Sequence, residues 1–534
     1  MDNRQIAWPR GRVLGGTSAI NFLQTTFPSA AEINAWEALG NPGWSWKDLE
    51  PYYRRSHTFT KPSDDVAARL GTSNYTPSSY GDAGPWKLSF YKACPDMNRD
   101  WLDVFESREQ RMDSDPLSGD AIGAFINLAS VDPDSMTRSY SANAYYHPNA
   151  ARPNLVVITE AFVQKIHLER SQSASRQFAA DRVSFIHDGR EQVVKARREV
   201  ILCAGSIQSP QLLELSGIGS RPILESSNIE VLIENPNVGE NLQDHALLGL
   251  CYEVADGSTS MDALRDPALV GEALSAYANH KAGPFAAGIE AIAFVPWTPS
   301  GSGADEIDLS DDKIAKDVSP AIREQYALLR EALQSPTEAV SQLMLLPFQV
   351  HPESAHDQQA LFRPSLPGSY WTMTAQIARP FSRGSVHIQS GDPSEHPVID
   401  PRYLSHPMDV EILCRQVQTI QALARTEPLA SKLLHGGRTI PADLPSSPSS
   451  DTLKTIVKES LTTQYHPIGT CAMLPREKGG VVDSKLKVYG TSNLRVVDAS
   501  IFPLHTRGNI TSTVYAVAEY GSDIIKRDWG MGVA

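Results

Sequence analysis

The chain has 534 residues, with 48 basic and 62 acidic side chains and a formal net charge of −14 at pH 7. This length is sufficient for two or more packed layers around a large core, and 41% hydrophobic and 21% charged residues are typical of an ordinary globular protein. The negative charge repels phosphate groups, and no basic run offsets it. The composition therefore argues against nucleic acid and anionic membranes as partners.

The five cysteines give little support to a disulfide framework or a metal site. They are Cys94, Cys203, Cys251, Cys414 and Cys471. No two of them form a C-x-x-C pair, so we interpret them as buried small side chains or free thiols, and we expect no metal.

No apolar stretch reaches the roughly 18 residues that span a bilayer, and the first residues, MDNRQ, lack an apolar signal segment. Cellular location and oligomeric state stay open.

Short apolar runs rich in β-branched residues predict the strands of a buried α/β sheet. These runs lie at 154–158, 200–203, 231–233 and 494–497. The second run leads through a glycine turn into a predicted helix at 208–215. A nucleotide would approach such a succession of strand, turn and helix.

The sequence pattern changes between about residues 253 and 460. Alternating patterns predict strands and amphipathic patterns predict helices in this region, whereas two polar stretches predict exposed loops. The predicted strands are 371–378 and 385–390, the helices are 320–333, 409–425 and 449–460, and the loops are 299–312 and 441–450.

Three segments near the carboxyl end predict a catalytic site. Residues 465–471 read YHPIGTC, residues 497–503 read VDASIFP and residues 508–511 read GNIT. They put His466 and Asn509 on two separate turns that can converge on one substrate oxygen. A neutral imidazole can take a hydroxyl proton, and an amide can hydrogen-bond the alkoxide that forms. The pair therefore predicts alcohol oxidation.

Over its whole length the chain resembles the glucose-methanol-choline (GMC) family of FAD-dependent oxidoreductases. Residues 9–21, PRGRVLGGTSAIN, and 203–219, CAGSIQSPQLLELSGIG, are similar to the two signature segments of that family. Further matches follow in the order that the family shows, at 41–46 (NPGWSW), 154–157 (NLVV), 235–245 (NPNVGENLQDH) and 379–384 (RPFSRG).

The resemblance implies an α/β fold, α+β overall, with FAD as the cofactor. It implies that an FAD-binding domain with a doubly wound sheet is interleaved with a substrate-binding domain built on an antiparallel sheet with helices. We expect the FAD-binding domain to comprise residues 1–56, 134–250 and 462–534. The substrate-binding domain is then residues 57–133 and 251–461.

The resemblance also implies roles for individual residues. His466 matches the catalytic base of the family, and Asn509 matches a second active-site position that relatives fill with histidine or asparagine. The flavin takes the hydride, while the protein supplies geometry and polarity. The implied contacts with FAD come from Gly15, Gly16, Ser18, Asn21, Val163, Asp498, Asn509 and Thr511.

Two other histidines compete with His466 for the role of base. His505 lies four residues before Asn509, in a stretch that varies within the family, and we interpret it as solvated or as packing in its loop. His245 matches a family segment but no catalytic position, so we interpret it as structural. Two glycosylation-type sequons begin at Asn74 and Asn509; the second falls in the predicted site and says nothing about secretion.

The G-x-G-x-x-G turn that relatives carry near their amino end does not occur in this sequence. The nearest imitation, at 217–219, belongs to the second signature. In a doubly wound sheet the pyrophosphate rests on the helix that follows this turn. We therefore expect a shortened gene of an active FAD enzyme, with weak or no FAD binding by the chain as it stands, and an inactive relative is the alternative.

The sequence leaves the substrate and the electron acceptor open. The leading hypothesis is a dehydrogenase or oxidase of a small-molecule alcohol, with dioxygen or a quinone as the acceptor. The second hypothesis is a non-redox cyclase or dehydratase on the same scaffold, in which His466 still moves protons. Residues 501–515 resemble filamentous-fungal members of the family, many of which serve secondary-metabolite pathways.

Overall fold

The structure is a computed structural model. The loop predicted at 299–312 and the side chain of Cys94 lie outside the residues that it describes. The described residues are 3–72, 74–93, 95–112, 114–119, 122–170, 178–258, 260–297, 318–442 and 444–532.

Several helices begin at recognisable capping residues. Ser29 forms a capping box, in which its Oγ accepts from the Glu32 amide while the Glu32 carboxylate accepts from the Ser29 amide at 2.9 Å. Proline at the first helical position opens three later helices. The helices are α1 Ala30–Ala38, α2 Trp46–Ser56, α3 Asp64–Leu70, α4 Asp96–Glu106, α5 Gly205–Leu215, α6 Arg221–Ser226, α7 Pro267–His280, α8 Pro320–Gln334, α9 Gln358–Leu361, α10 Pro407–Leu423, α11 Leu429–Lys432, α12 Ser450–Ser460 and α13 Thr511–Asp528.

Most of the strands are short, and the longest belong to antiparallel sheets. They are β1 Gln24–Thr25, β2 His57–Phe59, β3 Trp86–Leu88, β4 Gly123–Ile126, β5 Leu128–Ala129, β6 Phe162–Arg170, β7 Phe178–His187, β8 Arg190–Lys195, β9 Val200–Leu202, β10 Ile218–Gly219, β11 Ile233–Glu234, β12 Ala246–Glu253, β13 Ala291–Val295, β14 Ser341–Leu346, β15 Tyr370–Ile377, β16 Ser385–His387, β17 Val398–Asp400, β18 Thr439–Ile440, β19 Leu461–Thr463 and β20 Leu494–Val496.

The largest sheet has seven antiparallel strands in the order β18-β12-β15-β14-β13-β4, with β19 also paired to β12. Successive side chains of a strand point to opposite faces, so Thr372, Thr374 and Gln376 of β15 share one face. Helix α10 packs against this strand. The predicted α/β fold with an antiparallel sheet and helices is confirmed.

Two parallel strands, β9 and β20, form the second structural support of the site. Val200 pairs with Leu494 and Leu202 with Val496, so both strands end at the same edge. Beyond this edge β9 leads into α5, and β20 leads to Asp498. Nucleotides bind at the carboxyl ends of parallel strands.

Most of the predicted elements are confirmed, with small shifts at their ends. The strand predicted at 385–390 is shorter, and the one predicted at 231–233 begins two residues later. The confirmed strands are those predicted at 200–203, 371–378 and 494–497, and the confirmed helices are those predicted at 208–215, 320–333, 409–425 and 449–460.

The strand predicted at 154–158 is wrong. This segment has no ladder partner among the described residues, and Val156 is 79% exposed. A β-branched run favours a strand when a neighbouring strand takes its hydrogen bonds and covers its side chains. Here the run passes along a large cavity, which Val157 and Ile158 line.

The division into two domains stays a prediction. Strand β12 crosses the predicted boundary at residue 250, and β19 contains the predicted boundary between residues 461 and 462. Among the helices of the described residues, none combines the length and apolar character that crossing a bilayer requires.

Arg495 on β20 is buried in an ion-pair network that joins the two parallel strands to the last helix. Its guanidinium donates to Glu199 at 2.6 Å, to Asp528 at 2.8 Å and to the Lys485 carbonyl at 2.6 Å. Burial alone would raise the pKa of Asp528, but hydrogen bonds from Arg495 and Lys487 outweigh it and lower that pKa to about 2.

We predict that Arg495→Met lowers the free energy of unfolding by about 3–5 kcal/mol, because it leaves the buried carboxylate of Glu199 without its cation. Urea unfolding followed by tryptophan fluorescence measures the change. The control is Arg221→Met, since Arg221 makes an exposed pair with Glu234 at 2.8 Å and its loss should cost less than about 1 kcal/mol. Equal losses in the two variants would contradict this role of Arg495.

Candidate active site

A cavity of about 1660 Å³ extends from the edge of β9 and β20 to one face of the seven-stranded sheet. Its lining includes Gly205 and Asp498 at the first end, and Met344 and Thr374 at the second. Pockets for single small ligands usually measure about 300–1,000 Å³. The cavity therefore has room for a dinucleotide cofactor together with a substrate.

The glycine-rich segment at residues 10–18 lines the first end of the cavity. Gly15 and Gly16 have φ angles of 98° and 55°, which favour glycine. A Cβ at Gly16 would stand in open space, whereas one at Gly15 would meet the Tyr140 ring. The turn is closed by the Ser18 hydroxyl, which donates to the Gly15 carbonyl at 2.6 Å. This segment thus forms an open backbone cradle.

Asn21 and Thr511 lie together at the amino end of α13. The Asn21 amide donates to the Thr511 hydroxyl at 3.5 Å, and the Asn21 Oδ1 accepts from Arg138 at 2.5 Å. Both residues line the cavity, as does Val163 on β6. The helix amino end also contributes a partial positive charge there.

Asp498 lines the cavity, but both of its carboxylate oxygens already have partners. One oxygen accepts from the Gly205 amide at 2.9 Å and the Ser209 hydroxyl at 2.6 Å. The other accepts from the amide and the hydroxyl of Ser500. Asp498 therefore holds the start of α5 against β20.

His466 and Asn509 lie side by side where the two ends of the cavity join. The sequence analysis predicts that these two residues converge. The Asn509 Nδ2 lies 3.4 Å from the His466 Nε2, and both residues line the cavity. Burial lowers the pKa of His466 well below its ordinary value, and the nearby His505 and Arg10 lower it further. The His466 imidazole is therefore neutral at neutral pH.

The turn that carries His466 is fixed by its main chain. The His466 amide donates to the buried carboxylate of Asp244 at 2.7 Å. The preceding residue, Tyr465, has a φ of 65°, and its carbonyl accepts from Arg10 at 2.7 Å. Positive φ at a bulky side chain is strained, and such strain persists only where the surroundings hold the backbone.

Asn509 is held in a similar way by Thr26. The main-chain amide of Asn509 donates to the Thr26 Oγ1 at 2.7 Å, and the same hydroxyl donates back to the main-chain carbonyl of Asn509 at 3.1 Å. Glycine precedes Asn509 because a Cβ at Gly508 would lie 2.6 Å from the Thr26 Oγ1. The side chain of Asn509 is thereby aimed at His466.

The two competing histidines lie behind His466 and do not appear in the cavity lining. His505 is 1% exposed and its Nε2 lies 2.9 Å from the His466 carbonyl, so it packs in its loop and is not solvated. His245 is fully buried, and its Nδ1 lies 2.9 Å from the His466 Nδ1. The sequence did not reveal this direct contact with the candidate base.

Gln24 is a further residue of the site that the sequence analysis missed. Its Oε1 accepts from the Asn509 Nδ2 at 3.4 Å, and its Nε2 donates to the Ile289 carbonyl at 3.2 Å. It lies only three residues beyond the glycine-rich signature, but glutamine at that place has no pattern that indicates a site. Gln24 links Asn509 to the second end of the cavity.

The second end of the cavity is mainly apolar. Among the described residues that line it, none carries a charge. Three side-chain amides, three threonine hydroxyls and a tyrosine hydroxyl provide its polar groups. Its lining comprises Phe22, Leu23, Gln24, Leu247, Gly249, Ile289, Met344, Leu346, Phe348, Val350, Gln358, Phe362, Thr374, Thr462, Thr463, Gln464 and Tyr465.

Among the described residues of the sequons and the cysteines, only Asn509 and Cys203 line the cavity, and Cys203 lies at its first end. The Asn74 amide donates to the Ser114 carbonyl at 3.0 Å, inside the fold. Cys203, Cys251, Cys414 and Cys471 are all free thiols. In the described parts of the chain, no group of three or more histidine, cysteine or acidic side chains has the arrangement of a metal site.

Comparisons with known proteins agree with this geometry. Family models described as GMC oxidoreductase match residues 1–247 and 380–518. The dehydrogenase mpl7 of Monascus purpureus is 36% identical to this chain over 541 residues, which cover 98% of the chain and 85% of the relative.

Solved structures show the same similarity. An FAD-dependent oxidoreductase from Chaetomium thermophilum matches with a TM-score of 0.84 and 25% identity, over 99% of this chain and 88% of the other. A fungal aryl-alcohol oxidase matches with a TM-score of 0.81 and 25% identity, over 98% and 86% of the two chains. The open glycine cradle and the size of the cavity fit FAD. The chain belongs to the GMC oxidoreductase family and is an FAD-dependent oxidoreductase.

Proposed function

We propose that the enzyme oxidises an alcohol to a carbonyl compound, with His466 as the base and Asn509 as its partner. The observation that carries this proposal is the 3.4 Å approach of the Asn509 Nδ2 to the His466 Nε2 at the cavity. A substrate hydroxyl beside these two atoms would face one group that takes its proton and one that donates a hydrogen bond to it.

His466 takes the hydroxyl proton on its Nε2. Its lowered pKa keeps the imidazole unprotonated and ready to accept. The electron pair of the O–H bond then forms the second C–O bond as the carbon loses its hydride. Bound FAD supplies the acceptor for that hydride.

Asn509 stabilises the negative charge that develops on the substrate oxygen. Its amide does not titrate, so it donates a hydrogen bond without competing for the proton. Gln24 and Thr26 hold Asn509 in position, so this donor is already placed beside His466 when the substrate binds. Asn509 thus orients the substrate oxygen as well as stabilising its charge.

The FAD contacts in this proposal are Gly15, Gly16, Ser18, Asn21, Val163, Asp498, Asn509 and Thr511. All of them line one cavity. The uncharged lining of the second end supports a small neutral alcohol with an apolar body. The similarity to a fungal aryl-alcohol oxidase supports a benzylic alcohol as the first probe and dioxygen over a quinone as the acceptor.

Anaerobic stopped-flow spectroscopy tests the proposal directly. Because the sequence predicts weak FAD binding, the enzyme is first saturated with added FAD and then mixed with benzyl alcohols that carry neutral substituents, and the absorbance of the bound flavin should bleach. Deuterium on the carbinol carbon should slow the bleaching, because that C–H bond breaks in the step. Turnover of an alcohol without bleaching would favour the non-redox cyclase or dehydratase.

We predict that His466→Ala slows flavin reduction by about 10²–10⁴, the usual loss for a general base, while FAD remains bound. Stopped-flow bleaching and the flavin-to-protein absorbance ratio measure the two effects. The control is His57→Ala, which removes a buried histidine outside the cavity lining whose pKa burial lowers to about 4. Unchanged reduction rates in His466→Ala would exclude His466 as the base.

The same proposal predicts a pH dependence. A base whose pKa lies well below 6.5 is almost fully unprotonated at that pH, so the reduction rate should stay constant from pH 8 through about pH 6.5. The rate should fall only at lower pH, as His466 becomes protonated. A rate that rises steeply between pH 7 and 9 would contradict the lowered pKa of His466.

We predict opposite outcomes for two substitutions at Asn509. Asn509→Ala should raise the barrier by about 2.7–4 kcal/mol at every pH, because an oxyanion donor is lost. Asn509→His should keep measurable turnover and change the pH profile, because a second titrating group enters the site. Rates of flavin reduction measured between pH 5 and 9 in both variants test this prediction. Full activity in Asn509→Ala would show that Asn509 only stabilises its loop.

We predict that Gly16→Ala weakens FAD binding about tenfold, which is 1.4 kcal/mol. The new methyl group would enter the open space of the cradle at a strained φ. Fluorescence titration of the apoprotein with FAD measures the dissociation constant. Gly189→Ala is the matched control, because Gly189 also has a positive φ (69°) and open surroundings but does not line the cavity. An equal effect in both variants would show that backbone strain alone is measured.

A further inference from the structure

His245 and His466 face each other through the same atom of their rings. The two Nδ1 atoms are 2.9 Å apart, and the ring planes are inclined at 83°. A hydrogen bond between two imidazole nitrogens needs one proton between them, carried by one ring and accepted by the other. The tautomer of one ring therefore sets the tautomer of its neighbour.

The environment of His245 decides which ring carries that proton. The His245 Nε2 lies 3.0 Å from the Ala378 carbonyl, which follows β15. A carbonyl oxygen only accepts, so the His245 Nε2 carries a hydrogen. Burial, and then the nearby His505 and His466, lower the pKa of His245 well below its ordinary value. The ring is therefore neutral, and its Nδ1 is left as an acceptor.

We propose that His245 is a positioning residue that holds His466 in the tautomer protonated on Nδ1. The His466 Nε2 then keeps its lone pair, directed at the Asn509 amide and the cavity. In water the opposite tautomer of histidine, protonated on Nε2, predominates, and it has no lone pair at that atom. The inference rests on the proposed function, since it explains how the proposed base is kept ready to act.

The surroundings of the pair hold it in this orientation. The ring of His505 lies against His245 with centroids 3.5 Å apart and planes inclined at 30°, and Asp244 fixes the His466 amide. The groups that face the pair are thus His505, the Asp244 carboxylate and Arg10, whose charge lowers the pKa of His466. Asp244 reaches the main chain of His466 and does not compete for its Nδ1 proton.

Nuclear magnetic resonance of the FAD-loaded enzyme with ¹⁵N-labelled histidine reads the tautomer without turnover. Signals that disappear in His466→Ala identify the ring of His466. The expected result is a protonated Nδ1 and an unprotonated Nε2 at pH 7.5. A protonated Nε2 in the wild-type protein overturns the inference, whatever the variants do.

Two variants of equal shape test the role in catalysis. His245→Leu removes the acceptor, whereas His245→Asn keeps an oxygen near the position of Nδ1. We expect His245→Leu to lower the limiting rate of flavin reduction about 10–100-fold, as for the loss of a residue that orients a functional histidine. The apparent affinity for alcohol should not change, the His466 signals should shift toward the other tautomer, and His245→Asn should restore most of the rate.

Equal rates in His245→Leu and His245→Asn, both folded and FAD-loaded, would show that the residue only fills space. His57→Leu is the control for removing a buried histidine outside the cavity lining, and thermal unfolding identifies any variant that fails to fold, in which case the wild-type spectrum decides. Failure of the proposed function is distinguishable. If no alcohol bleaches the flavin but the His466 signals respond to His245→Leu as expected, the positioning role stands and the alcohol substrate does not.

Discussion

The buried carboxylate of Asp244 is the anchor on which the geometry of the site depends. It is 5% exposed and accepts from the His466 amide at 2.7 Å, the Thr463 hydroxyl at 2.5 Å and the Tyr403 hydroxyl. Burial raises its pKa, although these donors and Arg10 oppose the rise. A carboxyl group is costly to bury unless donors converge on it, so Asp244 can lie here only when the surrounding segments are in place.

This anchor brings together residues that are distant in sequence. Asp244 precedes β12, and Thr463 ends β19, which pairs with that strand. Once both are fixed, His245 on one segment and His466 on the other lie side by side. The seven-stranded sheet therefore does more than line the second end of the cavity, because it also sets the distance between the candidate base and the ring behind it.

The sequence predicted the parts of this site that depend on local chemistry. His466 and Asn509 lie in motifs whose residue types indicate proton transfer and oxyanion binding, and the structure brings them to one cavity. Gln24 and His245 were missed as partners because their roles depend on which atoms face them across the fold. The prediction of a strand at 154–158 was wrong for a related reason. The residues of this segment favour a strand, but strand pairing depends on a neighbouring strand that the local sequence pattern does not reveal.

The low pKa of His466 has a cost as well as an advantage. A base with a low pKa is unprotonated over a wide pH range, but it accepts a proton less strongly, and the best general base has a pKa near the working pH. The hydrogen bond from the His466 Nδ1 to His245 acts against this loss, because donating it increases the electron density on Nε2 and stabilises the ring when it becomes protonated. Burial of the pair thus keeps the base free of protons before the reaction, while the bond between the rings supports the positive charge during it. A neutral acceptor behind the base serves this balance, since a carboxylate there would raise the resting pKa of His466.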